Sequence, residues 1–164
     1  MGQGFFNSKE SVIAILFYLM IGFIILLDQV TKYWIRNNLD VGDTIVVWEG
    51  ILHFTNYQNS GAAFGLFRGY GRLFVPVAVI ISAVSIFMLE KGYLSGKLTE
   101  VGIAFFIGGA IGNAIDRTLF NQVTDFIKFQ FHRTIFNLAD IALFIGVIFL
   151  LIDAVIMDCL KEMV

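Results

Sequence analysis

The sequence predicts an all-α integral membrane fold: four transmembrane helices with a small β element and loop platform resting on one mouth of the bundle. Three observations carry this. First, 58% of the 164 residues are hydrophobic and only 15% are charged, with a mean hydropathy of +0.82. A soluble domain runs at about half apolar and about a quarter charged, so this chain has too few charges to cover a water-facing surface. Second, four apolar runs (12–27, 73–89, 101–115 and 138–157) each approach the ~20 residues a helix needs to cross a bilayer. Third, two of the three connections carry β-type stretches with alternating or β-branched residues.

In chain order, the start "MGQGFF" lacks the Ser or Thr that a myristoylation signal places after its glycine. The first run has no A-x-A-like cleavage site after it and leads straight into "DQVTKYWIR", so it reads as a retained span. The next connection contains "TIVVW" and "ILHFTNY", then the small-residue loop "NYQNSGAAFGLF". The second run holds the only proline, Pro76. "EKGYLSGKLTE" (90–100) is a plain helix–helix turn, and the third run ends in "IGGAIGNAIDR". The last connection holds the alternating "DFIKFQFH", and "FNLAD" opens the fourth run. The reading is one polytopic domain, 1–164, with spans at roughly 12–34, 72–90, 100–116 and 137–158 and long connections at 37–71 and 117–136. Four spans put both termini on one side and the two long connections together on the other. Irregular backbone of that kind must lie at the interface or be buried in protein.

Several classes are disfavoured. A net charge of −2 gives no support for nucleic-acid binding. A single cysteine, Cys159, allows neither an intrachain disulfide nor a cysteine metal cluster. His53 and His132 are isolated, so no metal site and no cofactor are expected. A count of Lys and Arg puts Lys32, Arg36, Arg68, Arg72, Arg117, Lys128 and Arg133 on the β-bearing face, against Lys9, Lys91, Lys97 and Lys161 on the other. Taken literally, the positive-inside rule would place the β-bearing face in the cytoplasm.

Ionisable residues in or beside a span cost roughly 2.5–3.5 kcal/mol each at the helix centre, so each needs a reason. Asp28 and Lys32 are four apart on one helix face, acid first; they form either an ion pair at a helix end or a substrate contact. Asn59 and Gly61, with Ala62 and Ala63, make either a tight packed loop or a substrate clamp. Gly108 and Gly112 have the small-xxx-small spacing of close helix packing. Asn113 falls before its span has finished. Asp116 and Arg117 follow it, and adjacent residues of that kind at a helix end are often a local ion pair. Asp125 shares a strand face with Val123, Ile127 and Phe129, which marks it as either a site residue or a solvated strand end. Asn137 and Asp140 are three apart at the entrance to the fourth span, where the helix dipole favours an anion; the choice is capping or chemistry. Asp153 lies ~20 Å further along that helix and belongs to the other membrane face. Ser60 sits in no G-x-S-x-G elbow, although Ser60 with Lys32 as base is an alternative peptidase chemistry.

Taken together, "DQVTK", "NSGAAFG", "GGAIGNAIDR", "VTDF" and "FNLAD" resemble the blocks of lipoprotein signal peptidase (signal peptidase II), in order, from Asp28 to Asp140. Thr124 departs from the apolar residue more usual before the acid of "VTDF", with little consequence expected. The resemblance implies an aspartyl protease of the bacterial inner membrane. Such an enzyme removes the signal peptide from diacylglyceryl-modified prolipoproteins just before the lipidated cysteine, and it is the target of globomycin. By motif, Asp125 and Asp140 would be the catalytic pair. Asp28, Lys32, Asn59, Gly61, Asn113, Asp116, Arg117 and Asn137 would support it or bind substrate. The implied protein acts as a monomer, with cytoplasmic termini and with the long connections on the extracytoplasmic side, against the Lys/Arg count. The chemistry suits the residues: two carboxylates sharing one proton can hydrolyse an amide without Ser, Cys or metal. Which of the two holds the proton stays open. The competing readings are a small transporter or channel lined by the acids, and a non-enzymatic membrane scaffold.

Overall fold

Each apolar run forms one helix that extends beyond the run itself. The computed structural model describes residues 8–61 and 69–162. The "MGQGFF" start, Arg68, and Ala62, Ala63 and Gly65 of the expected clamp lie outside the described residues. The helices are α1 (Ser8–Asn38), α2 (Phe74–Glu90, preceded by a 3-10 turn at Gly71–Leu73), α3 (Lys97–Phe120) and α4 (Leu138–Glu162). Among the described residues, four helices are long and apolar enough to cross a membrane: Val12–Asn38, Gly71–Glu90, Lys97–Phe120 and Leu138–Cys159. Pro76 falls in the first turn of α2, where its missing N–H would have had no intrahelical partner.

α1, α3 and α4 run past their expected ends, and the extensions of α1 and α3 matter. α1 continues more than a turn beyond Lys32, so Asp28 and Lys32 lie within the helix and not at its end. α3 passes through Asp116 and Arg117 and stops only at Asn121, whose φ of 57° is a left-handed conformation that Asn tolerates better than most residues.

The bundle is organised around α3, which packs against each of the other three helices. Half of its most apolar stretch is buried, against 22%, 6% and 11% for α1, α2 and α4. Its glycines explain the close approach. A Cβ on Gly108 would stand 2.8 Å from Ile24 of α1, and one on Gly112 would stand 2.7 Å from the Asp28 carboxylate. Phe17 and Ile21 of α1 meet Ile103, Ala104 and Ile107 of α3 in one buried apolar cluster. The outward faces stay apolar, with Leu19, Phe23, Val79, Ile80, Phe87, Phe144, Leu151 and Val155 exposed. So large an apolar exterior is a liability in water and suits hydrocarbon.

The long connections build one antiparallel sheet of four strands in the order β1 (Thr44–Trp48), β2 (Leu52–Asn59), β3 (Val123–Phe129), β4 (Ile135–Phe136). β2 and β3 pair through Gln58↔Thr124 and Asn59↔Val123, with an irregularity between Phe54 and Tyr57. β1 is exposed along its whole length, whereas Val123–Ile127 of β3 are buried on both faces. Ile35 and Leu39 at the end of α1 share an apolar cluster with Phe126 and Ile127, and this fastens the sheet to the bundle.

Candidate functional site

The site is built from helix ends and strand ends that meet where the sheet joins the bundle. It begins with the unpaired backbone donors at the start of α4. Asn137 is the residue before that helix. Its side-chain oxygen accepts from the Asp140 N–H at 2.9 Å, and the Asp140 carboxylate accepts from the Asn137 N–H at 3.1 Å. This is the reciprocal arrangement of a capping box. A third donor, the N–H of Ala139, goes to Asp28 at 2.9 Å. Asp28 therefore ties α1 to the beginning of α4.

Asn137 also turns toward the sheet. Its Nδ2 donates to Asp125 Oδ1 at 2.6 Å, and Asn59 Nδ2 donates to Asp125 Oδ2 at 2.9 Å. Asp140 receives a further donor from Asn113 Nδ2 at 2.8 Å. Asp125 and Asp140 thus come together through Asn137, from β3 and from the first turn of α4.

Each of the three asparagines is oriented by a partner on its far side. Lys32, which can only donate, gives Nζ–H to Asn113 Oδ1 at 2.9 Å. The Gly61 N–H donates to Asn59 Oδ1 at 3.1 Å, and the Asp140 N–H holds Asn137 Oδ1. In all three the amide NH2 is left pointing at an aspartate. The polarity of the site follows from this: six amide positions are fixed so that both carboxylates face donors.

Lys32 is wholly buried and lies 2.8 Å from Asp28 and 3.7 Å from Asp116, which are also wholly buried. The anticipated ion pair of Asp28 with Lys32 is present, but inside the protein. Lys32 is engaged with Asp28, Asn113 and Asp116, not with Ser60. The neighbouring pair anticipated for Asp116 and Arg117 is replaced by others, because consecutive helical residues point about 100° apart. Asp116 faces Lys32 and Arg36, the latter at 3.4 Å, and accepts from the Thr124 N–H at 3.0 Å. Arg117 lies over the ring of Phe74 at 5.1 Å. Its charge is felt by Asp140, Asp125 and Asp116, and its buried Nε has no hydrogen-bond partner among the described residues.

Asp125 is 3% exposed. Burial pushes its pKa from 3.8 up to about 7, and the neighbouring charge of Asp140 acts in the same direction. The donors Asn59 and Asn137 pull it down, as does the positive charge of Lys32. Burial dominates because an ionised carboxylate loses water that two amide N–H groups replace only in part.

Several contacts were not legible in the sequence. Gln29 reaches Asp28, the Gly112 carbonyl and Asp116. Arg36 donates to Asp116 and to the Thr124 hydroxyl. The spacing of Asp28, Lys32 and Arg36, each four residues apart, was a usable signal for a single polar stripe on α1. Thr124, expected to matter little, is 1% exposed and hydrogen-bonds on three sides. Asp153, at the other end of α4, accepts from Thr99 and stands apart from this cluster. His53 pairs with Gln130, and His132 with Thr134. Among the described residues, no group of three or more His, Cys, Asp or Glu is placed to hold a metal ion.

The comparisons with known proteins agree with one another. Residues 20–156 match the family model described as signal peptidase (SPase) II. The chain is 38% identical over 146 residues to the lipoprotein signal peptidase of Listeria welshimeri, covering 87% of this chain and 94% of that protein. It is 40% identical over 142 residues to the lipoprotein signal peptidase of Bacillus pumilus, covering 84% and 92%. Among solved structures, it is similar to a bacterial membrane enzyme determined by the in meso method at 2.3 Å resolution. The TM-score is 0.81 at 35% identity, covering 88% of this chain and 89% of that one. A second such structure, at 1.9 Å, gives a TM-score of 0.77 at 34% identity, covering 85% and 92%. With a family match across most of its length and four helices fit to cross a membrane, the chain belongs to the signal peptidase II family of bacterial membrane peptidases.

Proposed function

We propose that this protein is an aspartyl endopeptidase that removes the signal peptide from diacylglyceryl-modified prolipoproteins, cutting before the lipidated cysteine, with Asp125 and Asp140 as the catalytic pair. The observation that carries the reading is the convergence of those two carboxylates on Asn137, each also held by a second, fixed amide donor. A pKa of about 7 lets Asp125 keep a proton near neutral pH. Asp140, at the positive end of α4, is the partner that accepts one.

Both oxygens of Asp125 already accept from amides. Its proton therefore uses a remaining lone pair and points out of the amide cradle, toward the scissile carbonyl oxygen. Water adds to the carbonyl carbon as Asp140 takes its proton, and Asp125 protonates the oxygen that becomes negative. The resulting tetrahedral diol then breaks its C–N bond, the nitrogen taking the proton from Asp140 while a diol hydroxyl returns one to Asp125 as the new carbonyl forms. The pair titrates as one unit through this cycle. Arg117, with its charge beside the pair and its Nε unpartnered among the described residues, binds a backbone carbonyl of the substrate. The sheet forms a platform over the peptide, on the extracytoplasmic side of the inner membrane. The termini are cytoplasmic, one chain suffices, and globomycin inhibits by occupying the same site.

A channel reading would want broken helices around midplane acids. Here α1 and α3 run unbroken past Asp28 and Asp116, and the acids are tied to amides and cations. A scaffold reading gives Asp125 and Asp140 a role in stability alone. The test is cleavage of a diacylglyceryl-modified prolipoprotein by purified protein in lipid, wild type beside Asp125→Asn and Asp140→Asn. Folded variants should lose about a hundredfold to ten-thousandfold in rate. A folded variant with near-normal cleavage removes that aspartate from the mechanism.

A further inference from the structure

β3 has two faces, and the mechanism uses only one. Asp125 points to Asn59 and Asn137. The preceding residue, Thr124, points to the opposite face and is 1% exposed. There its hydroxyl accepts from Arg36 Nη1 at 3.1 Å and donates to Gln58 Oε1 at 3.3 Å. Its backbone N–H is held by Asp116 at 3.0 Å. Thr124 is thus fixed to α1 through Arg36, to α3 through Asp116, and to β2 through Gln58.

The Gln58 contact matters for register. Gln58 pairs with Thr124 across the ladder, and the next residue, Asn59, pairs with Val123 while donating to Asp125. The outer-face link of Gln58 to Thr124 therefore stands one residue from the inner-face link of Asn59 to Asp125. The neighbouring stretch of that ladder, between Phe54 and Tyr57, is irregular, so the ladder alone fixes the register weakly there. Gln58 is itself anchored, donating to Asn56 at 2.6 Å, while Asn56 donates to the Leu39 carbonyl at 2.8 Å. Arg36 is steadied by the Phe120 ring, 4.8 Å away.

We propose that Thr124 and Arg36 are positioning residues for the aspartate pair: the Thr124 hydroxyl, clamped between Arg36 and Gln58, sets where β3 presents Asp125 to Asn59 and Asn137. Thr124 and Arg36 act through Asp125 and not by touching the reacting atoms. This inference rests on the reading of Asp125 as catalytic.

Thr124→Val keeps the shape and removes only the hydroxyl, Thr124→Ser restores the hydroxyl, and Arg36→Met removes the donor. Each is assayed for cleavage of a lipidated prolipoprotein across pH beside wild type and Asp125→Asn, with thermal unfolding measured in the same detergent. A folded Thr124→Val enzyme should lose about threefold to tenfold in kcat with KM within about twofold, because reacting groups held slightly out of place lose rate before binding. Its alkaline limb should move to higher pH, since loosened amide donors stabilise the Asp125 carboxylate less. Thr124→Ser should recover kcat and the limb, and Arg36→Met with Thr124→Val should lose little more than either alone. Wild-type kcat and pH profile in Thr124→Val overturn the proposal, as does a loss that tracks unfolding with the limb unmoved, or no recovery in Thr124→Ser. An active, folded Asp125→Asn instead overturns the underlying mechanism, whatever Thr124→Val does.

Discussion

Replacing Asn59 by leucine should move the alkaline limb of activity upward. Asn59 Nδ2 donates to Asp125 Oδ2 at 2.9 Å, one of two side-chain donors on that carboxylate. A hydrogen bond to an ionised group contributes about 1.5–3 kcal/mol, and one pH unit corresponds to about 1.4 kcal/mol. The sign follows from which form the donor favours. Asn59 stabilises the carboxylate and lowers its pKa, so removing it raises a pKa already near 7. The proton needed for catalysis is then held to higher pH. In wild type, kcat/KM should fall as pH rises through about 7, and in Asn59→Leu the same fall should come roughly one to two units later. Leucine is preferred to alanine because it leaves less room for a water that would donate in place of the amide. The assay is kcat/KM for a lipidated prolipoprotein from pH 5 to 9, which reports on the free enzyme. A limb that stays in place, or that moves to lower pH, would falsify the assignment of the titrating proton to Asp125.

Three other outcomes follow from the same contacts. Lys32→Met leaves the wholly buried Asp28 and Asp116 without their shared cation and should destabilise the protein by about 3–5 kcal/mol, read as a fall in unfolding temperature in detergent. It also removes the donor that holds the Asn113 oxygen and so loosens the amide that donates to Asp140, and activity should fall further than unfolding accounts for. Gly112→Ala places a methyl 2.7 Å from the Asp28 carboxylate and should lose about 1–3 kcal/mol, with loosened attachment of α1 to α4 visible as faster hydrogen exchange at Ala139. For Asp125→Asn, stability relative to wild type should improve by roughly 4 kcal/mol between pH 4 and pH 7. Folded wild type holds a proton on a buried carboxylate whose pKa is raised from 3.8 to about 7, whereas its unfolded chain releases that proton across this window, so wild type loses stability as pH rises. Against this stands a pH-independent loss, because the asparagine NH2 must face one of two amide donors. A difference that stays flat with pH would show that Asp125 is not held protonated.

The four span-length helices, the sheet in the two long connections and the membership of both carboxylates in one family pattern were legible in the residues. Hydrocarbon demands long apolar runs, alternation marks strands, and acids beside such runs are too costly to be incidental. Position along the chain also sufficed to set Asp153 apart from Asp140. The tertiary structure decided the rest. Where helices end depends on what they pack against, so α3 carries Asp116 and Arg117 inside itself and gives them different partners. The flip of each asparagine is set by Lys32, Gly61 and the Asp140 N–H, groups brought near by folding alone. The role of Thr124 was invisible for the same reason. Its hydroxyl gains meaning only when α1, 88 residues away in sequence, brings Arg36 to within hydrogen-bonding distance. Sequence pattern states which groups are expensive to bury, and only packing states which group across the fold makes that burial stable.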